Sequence, residues 1–339
     1  MTLQIEELNE SQWRTACELF CDFNYCQEWS YVQAMAKIQG CSVEFLSLSD
    51  GKEIVGLAAI RVKKIPGTGT GFAYLSRGPL VSKIDNSTTT QFDAVLRALQ
   101  QRYVEERKLC LSVHPKIQDS QSKDELLVNF SGWKSAAKNA HVSYRTYVLD
   151  LSASMDELRT RLHQKWRRDL KLSEKRELSV DVGIGREFLE RFDALFRQLQ
   201  ERKDFDPGRF LQGIHSVLNS NSEDIGYRVL IARRGSEDLA GVILSLHGDV
   251  AVYLLGASSK EGLATGASFL CQWRAVSLCK ETNLKFYDLG GVDIEQNPGV
   301  ELFKRRMGGT EIGVGKVHYF FPRGLSGLLT RAVKRLTGR

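Results

Sequence analysis

The chain has 339 residues, 42% of them hydrophobic and 26% charged, which suits two globular domains of about 150 residues each and excludes long disorder. Its 47 Lys and Arg against 41 Asp and Glu give a net charge of +6, a mild excess that fits an anionic partner such as nucleic acid, a nucleotide or a membrane surface and also fits a plain enzyme. No run approaches 18 apolar residues, so no membrane span is expected, and the acidic start Met1-Thr2-Leu3-Gln4-Ile5-Glu6-Glu7 lacks the apolar core of a signal peptide, so the expected location is the cytoplasm.

Helical material is expected over 10–23 and 29–39. A strand, an Asp50-Gly51 turn and a second strand follow over 43–62, and a third apolar strand runs over 72–78. A helix over 90–107 carries Phe92, Val95, Leu96, Leu99 and Tyr103 at helical spacing, and a strand over 109–113 closes the unit. A strand over 144–151 opens the second half, with helices over 155–176 and 186–202. The earlier order then returns. Strand, turn and strand occupy 227–246, a third strand ends at Gly256, a helix spans 267–281 and a last strand spans 284–289. Gly56 and Gly241 mark the second strand of each copy. Four elements in the same order predict two tandem α/β units with mixed sheets flanked by helices.

The expected boundaries are 1–143, 144–322 and a separate basic amphipathic helix over 323–339. That last stretch has five basic residues and no acid, with Leu325, Leu328, Leu329, Val333 and Leu336 at helical spacing. Two placements stay open for it, on an anionic membrane or packed on the second domain. The seven cysteines are odd in number and form no CxxC pair, which suits reduced thiols. His and Cys never reach zinc-finger spacing, so no metal is expected.

One stretch stands out. The apolar run 284–289 stops at Gly290-Gly291, a polar loop with Pro298 follows, and Phe303-Lys304 precedes a basic cluster. A strand ending in glycines beside a placed cation can present charge to a reacting carbonyl or phosphate.

The order of these pieces resembles the tandem acetyltransferase-like (GNAT-type) fold of the FemABX peptidoglycan-bridge aminoacyltransferases. The matching pieces are Gln27-x-x-Ser30-Tyr31, Ser76-Arg77-Gly78-Pro79-Leu80, Tyr147-Val148-Leu149-Asp150-Leu151-Ser152 with Arg167-Arg168-x-Leu170, Leu255-Gly256-Ala257-Ser258 with Gln272-Trp273, and Tyr287-Asp288-Leu289-Gly290-Gly291 with Phe303-Lys304. They cover roughly residues 25 to 320. The chain lacks the long coiled-coil insertion of some members, since 155–176 reads as one helix. The resemblance implies two GNAT-like (acyl-CoA N-acyltransferase-like) units. It also implies transfer of an aminoacyl group from aminoacyl-tRNA to an amine on a nucleotide- or lipid-linked envelope precursor, with no cofactor. Phe303 and Lys304 would form the wall of the reaction site, Lys304 neutralising the transition state or the tRNA end, and Lys37 lies in the region of a substrate-binding lysine.

The residues themselves keep alternatives open. Asp288 could orient an amine or act as a base, or it could cap the following loop. Tyr253 could line the same cleft or fill the core. Arg77 could hold a phosphate or sugar, or pair structurally. The segment 159–176 holds eight basic residues against two acids, while Leu158, Leu162, Trp166 and Leu170 recur every four residues and should face inward. Arg167 and Arg168 could then meet tRNA or precursor phosphates, or simply be solvated. For an acyl-CoA enzyme the stretch Gly262-Leu263-Ala264-Thr265-Gly266-Ala267 sits where a pyrophosphate loop belongs, but its glycines match poorly. No Gly-x-Ser-x-Gly elbow occurs, so a serine nucleophile finds no support. Three functions are therefore carried forward: an aminoacyltransferase, acting in the cytoplasm or peripherally at the inner face of the membrane, an N-acyltransferase fed by acyl-CoA or acyl carrier protein, and a binding module without catalysis.

Overall fold

The computed structural model describes residues 3–82, 89–115, 145–203, 208–219, 226–313 and 317–337. The chain forms two compact units, Met1–Ser143 with Gly313–Arg339, and Tyr144–Ile312. Each is an α/β unit with a mixed sheet flanked by helices, as the repeat predicts.

In the first unit the strands are β1 (Gln4–Glu7), β2 (Ser42–Asp50), β3 (Glu53–Lys64), β4 (Gly71–Ser76) and β5 (Leu109–His114). β2 and β3 form a hairpin whose end pair is Asp50 and Glu53, and Gly51 takes the positive φ of +59° that the tight turn demands. β4 and β5 run parallel, so a crossover must join them. It is the helix Thr89–Gln100, continued by wider π-helical turns over Gln101–Glu106. Phe92, Val95, Leu96, Leu99 and Tyr103 from that crossover bury one face of the sheet. The other face packs on Trp13, Cys17 and Phe20 of the N-terminal region and Val32 of the helix Trp29–Gln39.

The second unit contains β6 (Arg145–Asp150), β7 (Ser179–Gly183), β8 (Tyr227–Arg234), β9 (Glu237–His247), β10 (Val250–Ser258), β11 (Phe286–Asp288) and β12 (Thr310–Gly313) in the spatial order β12-β6-β11-β10-β9-β8-β7. The helix Ala267–Glu281 is the crossover between parallel β10 and β11. Its Cys271, Ala275 and Val276 share a core with Leu158, Leu162, Trp166 and Leu170, so the four-residue stripe faces inward as its spacing requires. The two marker glycines do not look the same way. A Cβ on Gly56 would press on Val95 of the crossover helix, whereas one on Gly241 would press on Phe192 and Leu195 of the helix Gly185–Arg202.

Three expectations change. The stretch 155–176 is two helices, Met155–Arg161 and Gln164–Ser173. Leu162 leaves helical geometry at ψ 138°, and the His163 N–H donates to the Arg306 carbonyl at 2.9 Å, so a distant loop satisfies the break. The second unit ends at Ile312 rather than 322, and the C-terminal helix belongs to the first unit. β13 (His318–Phe320) pairs antiparallel with β5 and places Phe320 in the first unit's core. That pairing carries the helix Gly324–Thr337 onto β5 and β4 of the first unit. The polar stretch after Gly291 is not all loop either, because Pro298–Arg305 is helical. No helix among the described residues is long and apolar enough to cross a membrane.

Candidate active site

The site forms in the second unit where two parallel strands stop pairing. β11 pairs with β10 over Phe286 to Asp288, opposite Val250 to Val252, and with β6 on its other side. β10 then continues against β9, with a register shift between Tyr253 and Leu255, while β11 ends. The chain turns there through Gly290, at φ +70°, and a Cβ on Gly290 would come within 2.4 Å of the Tyr253 carbonyl oxygen. Only glycine fits that turn.

Lys304 enters this gap from the helix Pro298–Arg305. It is only 6% exposed, and its Nζ donates to the carbonyls of Gly291 at 3.0 Å and Gly290 at 3.2 Å. The ammonium also lies 5.0 Å from the centre of the Tyr253 ring. Burial pushes its pKa down to about 8, and the carboxylate of Asp288 pulls it part of the way back. Asp288 itself accepts from the Gly290 N–H at 2.8 Å and from the Thr146 hydroxyl, which lies 3.0 Å from the Gly290 carbonyl as well. The carboxylate thus caps the strand-end turn and supplies negative potential to Lys304 at once.

The helix that carries Lys304 is held from the opposite side. Tyr147 of β6 donates its hydroxyl to the buried Glu301 carboxylate at 2.8 Å, and Arg305 pairs with Glu301 at 3.3 Å. Phe303 lies in an aromatic cluster, 5.1 Å from Phe269 and 5.8 Å from Trp166 between ring centres. Neighbouring helical residues point about 100° apart. Phe303 therefore packs, half-buried, against the core while Lys304 faces the strand end.

Lys304, Asp288 and Tyr253 are thus brought together. Arg167 and Arg168 are not joined to them. Arg167 donates to the Thr160 carbonyl at 2.9 Å, and exposed Arg168 pairs with Asp169 at 3.0 Å. In the first unit Arg77 has a positive φ of +54°, and its carbonyl accepts from Asn24 at 2.8 Å. Its guanidinium lies near Cys26, whose thiol burial pushes up and Arg77 pulls down. Gln27 is fully buried and bridges two strands: its side chain accepts from the Ala59 N–H at 2.8 Å and donates to the Ser76 carbonyl at 2.7 Å. Lys37 is exposed in the last turn of its helix. Thr146 and Glu301 were not singled out by sequence, and Tyr147 stood out only as the start of a matching stretch, with no role at the site. Pro298 was the available signal for their setting, since proline at a first helical position marks a helix start.

The stretch suggested for a CoA pyrophosphate is a helix, Lys260–Thr265, closed by Gly266. The Gly262 N–H donates to the Ser259 hydroxyl at 2.9 Å, Leu263 to the Ser259 carbonyl at 3.1 Å and Gly266 to the Leu263 carbonyl at 3.4 Å. Those amides are committed within the segment. Among the described residues no group of three or more His, Cys, Asp and Glu side chains is disposed to hold a metal ion.

Comparison with known proteins adds to this geometry. The acetyltransferase (GNAT) domain model matches residues 156–305, which include β11 and the Lys304 helix. Lipid II:glycine glycyltransferase of Staphylococcus aureus (strain MRSA252) is 22% identical over 278 residues, 78% of this chain and 64% of that protein, so the chain spans less than two thirds of that relative's length. The crystal structure of FemX superposes with a TM-score of 0.77 at 17% identity, over 99% of this chain and 100% of that one. A conserved protein of unknown function from Bacteroides thetaiotaomicron does so with a TM-score of 0.64 at 12% identity, over 94% and 100%. At such identities these structures establish the shared fold. The FemAB family model matches residues 20–207, more than half of the sequence, and the chain belongs to the FemAB family.

Proposed function

We propose that this chain is an acyltransferase that moves an aminoacyl group from aminoacyl-tRNA to an amine of a nucleotide- or lipid-linked peptidoglycan precursor. The observation that carries the reading is the buried Lys304 ammonium held on the carbonyls of Gly290 and Gly291. In the reaction an amine attacks the ester carbonyl, a C–N bond forms, and the ester C–O bond breaks. The amine loses a proton and the leaving ribose oxygen gains one. Negative charge develops on the carbonyl oxygen, and a desolvated cation beside it stabilises that charge far better than water does. Asp288 keeps the strand-end turn in place and biases Lys304 toward its protonated form. The exposed basic face of Gln164–Ser173 suits phosphates of the donor. The name of the S. aureus relative supports a lipid-linked acceptor and leaves the amino acid of this chain open.

The acyl-CoA alternative loses support because the Gly262, Leu263 and Gly266 amides of the suggested pyrophosphate stretch are bonded inside Lys260–Thr265 and its cap. The test is direct. Purified chain is given charged tRNA or acyl-CoA with a UDP- or lipid-linked precursor, and amide formation is followed. Product from charged tRNA alone supports the proposal; product from acyl-CoA alone refutes it.

A further inference from the structure

The helix Gly324–Thr337 turns three of its five large apolar side chains outward, Leu329 and Val333 being half-buried. An amphipathic helix ordinarily buries its leucines and exposes its polar residues. Here Gly327 and Thr330 face the first unit, and the Thr330 hydroxyl is satisfied by the Ser326 carbonyl at 2.9 Å. Leu325, Leu328 and Leu336 are 72%, 65% and 87% exposed, and with exposed Ala332 they share an arc of roughly 80°. Single exposed leucines are unremarkable, but a stripe of them on one helix marks a contact surface.

The charges around the stripe say what it contacts. Arg323 and Arg335 are exposed beside it. Arg331 lies at its flank, 4.8 Å above Phe321, while Lys334 turns to the opposite side of the helix, 3.5 Å above Tyr319. The stretch 323–339 holds five basic residues and no acid. The geometry points to docking of this face on an anionic phospholipid bilayer, leucines in the acyl–headgroup boundary and arginines at the phosphates. A protein surface could also cover leucines, yet the uniformly positive border complements an anionic surface. The inference extends the transferase reading by naming the surface at which a lipid-linked acceptor would be met, and it stands or falls without turnover.

The test is co-sedimentation of the full chain with phosphatidylcholine vesicles, with and without phosphatidylglycerol, at low and high salt. Binding to the anionic vesicles only, weakened by salt, is expected. The variant L325S/L328S/L336S should lose more than about tenfold in partitioning, with thermal unfolding unchanged because these side chains are exposed. R323Q/R335Q should weaken binding to the anionic vesicles and flatten its dependence on salt. Absence of vesicle binding, or equal binding by the leucine variant, overturns the proposal. So does a concentration-dependent dimer that the leucine variant abolishes, which would give the stripe to a second copy. No acceptor or donor is present, so failure here leaves the transfer assay to judge the chemistry separately.

Discussion

The Lys304 ammonium donates to the Gly291 carbonyl at 3.0 Å, so this buried cation is tied to the turn that ends the strand. The bond fixes the height of the charge in the gap between β10 and β11. The helix supplying Lys304 is pinned by Tyr147 and Glu301 on one side and by Phe303 in its aromatic cluster on another. The charge is therefore held in place by contacts formed without substrate, which is what electrostatic stabilisation of a transient charge requires.

The first prediction concerns pH. Lys304 titrates near 8 in the folded chain against an ordinary value of 10.5. Between those values the unfolded chain holds the proton and the folded chain does not, so this group makes stability rise as pH climbs from about 8 to about 10.5. Transfer that depends on the cation should instead fall as pH passes about 8. Lys304→Arg keeps its charge throughout and should remove that alkaline fall. A pH–rate profile with the same alkaline limb in both proteins would contradict the assignment.

Two glycines near the site should respond in opposite ways. Gly290→Ala puts a Cβ against the Tyr253 carbonyl in a left-handed turn and should cost more than about 2 kcal/mol. Gly299 lies in the Lys304 helix with open space around its Cα, so Gly299→Ala should be neutral or stabilising by up to about 1 kcal/mol. Urea unfolding of both variants measures this, and equal midpoints would contradict the packing described.

Phe303 should act through stability. Phe303→Ala opens the Trp166–Phe269 cluster and should cost about 2–4 kcal/mol, while Phe303→Leu should cost less. If Phe303 touched substrate instead, Phe303→Leu would lower kcat at unchanged stability. Thermal unfolding beside turnover separates the two.

Much of the fold is legible in the sequence because the signals are local. The strand–turn–strand blocks, the crossover helices and the stripe of Leu158, Leu162, Trp166 and Leu170 follow from spacing alone. What escapes depends on distant partners. The helix breaks at His163 because Arg306 supplies a carbonyl from another segment. β13 is three residues long, and its partner β5 lies some two hundred residues earlier. At the site, the glycines and Lys304 stand out by chemistry. Phe303 beside it points elsewhere only because the segment is helical, and Thr146, Tyr147 and Glu301 gain meaning only once β6 lies next to β11.

The central claim is that Lys304 supplies the charge for aminoacyl transfer. The measurement that tests it is amide formation from charged tRNA by the wild type and by Lys304→Met, with unfolding followed in parallel. Methionine keeps the length and removes the cation. The lost carbonyl bonds and the relieved burial of charge oppose each other, so stability should change by only about 1 kcal/mol. Transfer should drop by about 10²–10³-fold. A folded Lys304→Met protein that transfers at the wild-type rate would contradict the account.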